Sequence, residues 1–182
     1  MRHLVEAHDG RITAASPGDQ QGSTFTVRLQ RQVRHRGPAP ALPAAPTPLP
    51  SLAGIRVLVV EDDFDARILI RRMLADAGAE VSDASDVDAA IACLDETRPA
   101  VVVSDIALPH QDGYDLIRRI RERYRADVLP AIALTALARE EDRSKALNAG
   151  YQAHLAKPVD PRQLLTVAAG LVQGSRRLTG RV

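Results

Sequence analysis

The sequence predicts an α/β protein: a five-stranded, doubly wound parallel sheet, preceded by an incomplete N-terminal remnant of one helix and a hairpin. Three observations carry this reading. From residue 55 to residue 172 the chain repeats one rule, a short apolar run, a polar turn, then apolar residues at helical spacing. The first, third and fourth apolar runs are nearly continuous, as strands covered on both faces must be. Gly78 and Gly150 stand where helix C-caps belong.

Taken in order, residues 4–8 (LVEAH) read as the last turns of a helix stopped by Asp9-Gly10. Residues 11–16 and 23–29 read as two strands joined by the loop 17–22. In the second strand Phe25, Val27 and Leu29 alternate with Thr24, Thr26 and Arg28, which makes one apolar face. A helix and one hairpin cannot bury that face alone, because isolated two-stranded units are marginal in water. Something else is expected to cover it. Residues 1–30 therefore read as a remnant, and residues 31–52 as a linker. Within that linker, residues 37–50 (GPAPALPAAPTPLP) hold six of the 12 prolines, each with φ fixed and no amide hydrogen, so an extended tether is expected.

The main body is expected over 53–173, with strands at 55–60, 80–83, 100–104, 131–134 and 153–156. Between them Ile68, Leu69, Met73 and Leu74, and later Leu116, Ile117 and Ile120, recur at helical spacing. Ser85 with Asp88 reads as a capping box for the second helix. Asp63 and Asp65 read as caps or solvated positions of the first, and an EF-hand fails there because no Gly or terminal Glu follows at loop spacing. Cys93 reads as a small core residue. Arg118, Arg119, Arg121, Arg123 and Arg125 read as a solvated helix face. His8 and His110 are expected in solvent, and residues 174–182 as a basic tail.

Composition narrows the function. The 182 residues carry 24 Lys+Arg against 23 Asp+Glu, a net +1 that sums unlike parts. Residues 1–36 have six Arg and three acids, +3; residues 51–170 have 15 basic and 20 acidic residues, −5; the last twelve have three Arg and no acid, +3. An acidic body with 3% aromatics and no Trp is a poor nucleic-acid surface, so no nucleic acid is expected. One cysteine excludes a disulfide framework and any Cys-based zinc site. No apolar run approaches the ~20 residues of a membrane span, and the expected location is cytoplasmic.

Doubly wound sheets place their sites at the carboxyl ends of the strands. Those ends carry Glu61-Asp62-Asp63, Asp105, Thr135 and Lys157-Pro158. Carboxylates this close repel unless a cation sits among them, and a hard-oxygen set suits Mg²⁺. An ammonium and a hydroxyl opposite them would suit a phosphoryl group, and a carboxylate can itself be the nucleophile. Asp105 is placed for that role, because its strand would lie beside the first. The chain has 22 Arg and only two Lys, so Lys157 departs from its habit, and a compact point charge suits a phosphoryl pocket.

Residues 55–172 resemble a response-regulator receiver domain through VLVVEDD at 57–63, VVVSDIALPHQDG at 101–113, ALTA at 133–136 and HLAKP at 154–158. The resemblance implies a flavodoxin-like sheet of order 2-1-3-4-5, with Asp105 the phosphoacceptor. It implies Mg²⁺ held by Asp62, Asp105 and the backbone carbonyl of Ala107, with Glu61 acting indirectly. Thr135 and Lys157 would bind the phosphoryl group. Thr135 and the residue three before the lysine would form a switch; receivers usually carry Tyr or Phe there, and this chain has His154. Residues 1–30, through HLVEAHDGRI at 3–12 and GSTFTVRL at 22–29, resemble the C-terminal end of a sensor histidine kinase ATP-binding domain. The order is that of a hybrid histidine kinase.

The function expected is Mg²⁺-dependent transfer of a phosphoryl group from phosphohistidine to Asp105, the donor being a histidine kinase or a histidine phosphotransfer protein. Output is expected through protein binding or onward transfer, and a homodimer is left open. No motif matches the phosphoaccepting-histidine helix, the Asn box or the ATP lid, so no kinase activity is expected from these residues; the alternative is the C-terminal part of an active hybrid histidine kinase, an enzyme, whose gene start is truncated. The resemblance further implies that the residues two past Asp105 and Thr135 influence the attacking water; here they are Ala107 and Leu137, whose side chains cannot hydrogen-bond, so slow self-dephosphorylation is expected.

Overall fold

The computed structural model describes residues 11–16, 18, 22–28, 49–136 and 140–179. The helix expected over 4–8 and the proline-rich segment up to residue 48 lie outside the described residues, as do His8 and Leu137. The chain divides into two compact units, Met1–Thr47 and Pro48–Val182.

In the first unit, β1 (Arg11–Ala15) and β2 (Thr24–Arg28) pair antiparallel, with Ala14 opposite Phe25 and Thr13 opposite Thr26. The Ser16 hydroxyl donates to the Gly22 carbonyl at 2.7 Å and ties the ends of the connecting loop together. The expected alternation places Phe25 and Val27 on one face, and both are exposed.

The second unit alternates β3 (Arg56–Val60), α1 (Phe64–Asp76), β4 (Glu80–Ala84), α2 (Val87–Thr97), β5 (Val101–Asp105), α3 (Gly113–Arg123), β6 (Ala131–Thr135), α4 (Glu140–Ala149), β7 (Ala153–Ala156) and α5 (Pro161–Thr179). All five strands are parallel, in the order β4-β3-β5-β6-β7, which is the expected 2-1-3-4-5 pattern counted within this unit. Helix α5 runs to Thr179, so residues 174–179 of the expected tail are helical.

Strand periodicity sorts the core into two halves. Leu58, Val60, Val102, Ala131 and Ala133 face α2, α3 and α4, and pack with Leu94, Leu116, Ile117 and Ala146. Val57, Val59, Val101, Val103, Ile132 and Leu134 face α1 and α5, and pack with Ile70, Leu74, Leu164 and Ala168. Every residue of β5 and β6 is buried, which is why those runs carry almost no polar residue. The exceptions, Ser104, Asp105 and Thr135, all stand at the carboxyl ends.

The helix ends follow local chemistry. Asp63 caps α1, its side chain accepting from the Ala66 amide at 2.8 Å. Helix α1 closes in a Schellman motif: Gly78 N–H donates to the Ala75 carbonyl at 2.8 Å and Ala79 N–H to Leu74 at 3.1 Å, with Gly78 at φ +92°. Gly150 closes α4 the same way, at φ +117°. The capping box expected from Ser85 and Asp88 is replaced by Asp86, whose carboxylate accepts from Ala89 N–H at 2.9 Å while Ser85 donates to it. A carboxylate one residue later outcompetes the hydroxyl as acceptor. Helix α3 has the reciprocal box instead, Asp112 with Asp115. Cys93 packs half-buried at the margin of the α2–α4 core.

The arginine run is mostly the expected solvated face, with Arg118, Arg119, Arg123 and Arg125 paired to Asp115, Asp88, Asp95 and Asp127. Arg121 departs from it. Its guanidinium is half-buried and donates to the carbonyls of Gly150 (2.9 Å) and Leu129 (2.8 Å) and to the Gln152 side chain (2.8 Å). It joins the end of α3, the start of β6 and the turn into β7. Replacing Arg121 with Leu removes all three bonds; Gly150 and Gln152 keep a second donor in the Gln152 amide and Ala131 N–H, but the Leu129 carbonyl loses its donor. We expect a loss of about 2–3 kcal/mol, read as a lowered urea midpoint at unchanged m-value.

Candidate functional site

The sheet delivers its polar residues to one edge. Glu61 and Asp62 follow β3, Asp105 ends β5, Thr135 ends β6, and Lys157 follows β7. Glu61 (1% exposed) and Asp105 (5%) are buried, and Asp62 stands at the solvent side. Carboxylate oxygens from these three lie within 4.8 Å of one another. The Lys157 ammonium reaches into the group, 2.7 Å from Asp105 Oδ2 and 2.9 Å from Glu61 Oε1. The other Asp105 oxygen accepts from Ala107 N–H at 3.2 Å. Thr135 is tied to the lysine through the backbone, Lys157 N–H donating to its carbonyl at 2.7 Å.

Burial pushes the Glu61 carboxyl above its ordinary value, an effect that the hydrogen bond from Lys157 reduces and that Asp105 and Asp62 reinforce. For Lys157 burial pulls the other way, but its bonds and attraction to Asp105 and Glu61 outweigh it and raise its pKa. One ammonium among three carboxylates leaves an excess of negative charge on hard oxygen donors. That donor set fits a divalent cation.

A buried layer lies directly behind Asp105. The Ser104 hydroxyl donates to the Asp105 carbonyl at 2.7 Å, and Gly113 N–H donates to the Ile106 carbonyl at 2.9 Å. A Cβ on Gly113 would stand 2.5 Å from the Asp105 carbonyl oxygen, so no larger residue fits without moving the end of β5. Tyr151, 3% exposed, donates its hydroxyl to the Gly113 carbonyl at 2.7 Å. This closes the loop that carries Ala107.

Glu61, Asp62, Asp105 and Lys157 thus converge as expected, with Thr135 beside them. His154 stands farther along β7, opposite Ala133. Its neighbours Ala153 and Leu155 pack toward α1 and α5, so strand alternation turns His154 to the α4 side, the face that Thr135 also occupies. Its Nε2 is buried with no hydrogen-bond partner among the described residues. His110 is exposed at φ +66°, on the rim of a cleft of about 620 Å³ that includes Asp62, Asp86 and Asp88.

Tyr151 and Arg67 support the site without being among the candidates that the sequence offers. Tyr151 had one signal, a tyrosine directly after a capping glycine in a chain almost without aromatics. Arg67 had another, a cation near the N-terminus of a helix, where the dipole disfavours it. Its guanidinium donates to the backbone carbonyls of Glu61 and Asp62.

The model of the response regulator receiver domain matches residues 57–169, and the chain belongs to that family. A 14.6 kDa uncharacterised protein from the sodA1 3′ region of Leptolyngbya boryana is 50% identical over 115 residues, 63% of this chain and 88% of that protein. The transcriptional regulatory protein PhoP of Escherichia coli K12 is 35% identical over 129 residues, 70% of this chain and 56% of PhoP. Hybrid signal transduction histidine kinase D of Dictyostelium discoideum is 31% identical over 130 residues, which are 67% of this chain and 8% of that protein. Among solved structures, the chemotaxis response regulator CheY4 of Vibrio cholerae superposes with a TM-score of 0.60 at 28% identity, covering 64% of this chain and 98% of CheY4. The chain spans about half the length of the transcriptional regulators it matches.

Burial raises the Tyr151 pKa above its ordinary value of 10.0. Above about pH 10 the unfolded chain releases this proton while the folded chain retains it, so stability falls as pH rises. Tyr151→Phe is expected to make the decline in urea midpoint between pH 9 and pH 11 shallower, while lowering the midpoint at pH 7 through loss of the bond to Gly113.

Proposed function

We propose that Asp105 accepts a phosphoryl group from a phosphohistidine donor in a two-component phosphorelay. The observation that carries this reading is the buried Asp105 carboxylate, held by Lys157 at one oxygen and within 4.8 Å of Glu61 and Asp62. Asp62, Asp105 and the Ala107 carbonyl would hold Mg²⁺, with Glu61 fixing Lys157 and acting on the ion indirectly. Mg²⁺ would supply charge neutralisation at the phosphoryl oxygens.

In the transfer, a carboxylate oxygen of Asp105 attacks phosphorus. The phosphorus–nitrogen bond of the donor breaks, and its electron pair remains on the imidazole. Lys157 moves its ammonium from the carboxylate to a phosphoryl oxygen, and the Thr135 hydroxyl donates to another. Withdrawal of Thr135 toward the acyl phosphate opens space on the face it shares with His154. The switch then shifts the population of the surface made by α4, β7 and α5. A histidine kinase or a histidine phosphotransfer protein is the donor, and the cytoplasm is where such a donor is charged. Output passes through protein binding or onward transfer.

A hybrid histidine kinase is the second reading. It is favoured by the hairpin ahead of the proline-rich segment and by the likeness to hybrid kinase D. An upstream open frame encoding the rest of an ATP-binding domain would establish it.

Asp105→Asn is expected to abolish labelling by a small phosphodonor in Mg²⁺, measured by intact mass; labelling that persists moves the acceptor elsewhere. The acyl phosphate is expected to decay slowly, because the Ala107 side chain has no group to orient water for in-line attack. Loss of the label within seconds in the absence of a partner would refute that.

A further inference from the structure

The geometry points to Arg67 as a positioning residue for the acidic pair, and so for Mg²⁺ affinity. This inference rests on the reading that Glu61, Asp62 and Asp105 hold Mg²⁺. Arg67 touches neither the ion nor a reacting atom. It holds the turn from which two of the three carboxylates project.

The turn after β3 is tied on both sides. Glu61 N–H donates to the Ala84 carbonyl of β4 at 3.1 Å. On the other side one Arg67 nitrogen donates to the Glu61 carbonyl and, at 3.2 Å, to the Asp62 carbonyl. The same guanidinium is anchored through Nε to Asp83 of β4 at 3.2 Å. The Phe64 ring lies beside it, 5.6 Å from guanidinium carbon to ring centroid, and the Arg67 side chain is only 14% exposed. Asp83 is in turn held by Arg71 at 3.1 Å, on the solvent side.

Three mutually repelling carboxylates push this turn outward when no cation separates them. Two carbonyls and one carboxylate held by a single planar fork oppose that push. They fix the peptide planes of Glu61 and Asp62, and with them the origin of each side chain. A lysine cannot reproduce this, because its ammonium is a point donor and cannot span Asp83 and both carbonyls at once. Arg67→Lys therefore keeps the charge and removes the geometry.

The test is Mg²⁺ binding to the full chain by isothermal titration calorimetry, paired with the Mg²⁺ dependence of labelling by acetyl phosphate. For Arg67→Lys the Mg²⁺ concentration at half-saturation is expected to rise about tenfold, the lower end of what loss of a supporting contact costs a metal site. The labelling rate at saturating Mg²⁺ is expected to stay near that of the wild type. Asp83→Asn, which weakens the anchor without touching the turn, is expected to shift half-saturation the same way by a smaller factor. Arg71→Gln, which does not reach the turn, is expected to leave it unchanged. Wild-type half-saturation in Arg67→Lys overturns the inference, as does a lower melting temperature and lower maximal rate with no shift in half-saturation. An equal shift in Arg71→Gln also overturns it, by showing a general charge effect. A wild-type chain that binds no Mg²⁺ overturns the functional reading, and this inference with it.

Discussion

Mutual repulsion among Glu61, Asp62 and Asp105 is the constraint around which the second unit is arranged. Three carboxylates with oxygens within 4.8 Å of one another would not share a site in a chain free to separate them. Here they cannot separate, because each projects from or just beyond the end of a central strand, and those strands are locked in register with Val60 opposite Ser104. The Lys157 ammonium bridges Glu61 and Asp105 and offsets part of the charge. The remainder is negative charge on hard oxygen donors, a set that fits a divalent cation.

Holding that arrangement takes a layer of contacts behind the site. Behind Asp105 stand Ser104, Gly113 and Tyr151, all buried, with the missing Cβ of Gly113 leaving room for the strand end. Behind the Glu61–Asp62 turn stand Arg67 and its anchor Asp83. Farther away Arg121 ties α3 to the turns into β6 and β7, and so sets the strand that ends in Thr135 and the one that leads to Lys157. In each place a polar group that would be costly to bury is engaged with backbone carbonyls, a side-chain amide or a carboxylate.

The three central strands, β3, β5 and β6, were legible because burial on both faces forces continuous apolar runs, and the site was legible because it interrupts those runs. Asp105 after VVVS and Lys157 in a chain of arginines are anomalies that a core position would not tolerate. The supporting residues were not legible for the opposite reason. Arg67 and Arg121 look like any exposed helix arginine until a partner distant in sequence is brought to them; Asp83 and Gln152 are such partners. The cap of α2 was read one residue early, at Ser85, because hydroxyl and carboxylate are both good caps and only the backbone decides which reaches Ala89.

By itself, then, the sequence determined the alternation of strands and helices, the sheet's two-faced burial and the chemical identity of the residues at its carboxyl edge. Those properties are written in local periodicity, which does not depend on distant contacts. Only the tertiary structure decided which acid faces Lys157, which arginine turns inward and to which side of the sheet His154 turns. Those outcomes depend on strand order and register, which place residues 52 and 96 positions from Lys157 within hydrogen-bonding distance of its ammonium.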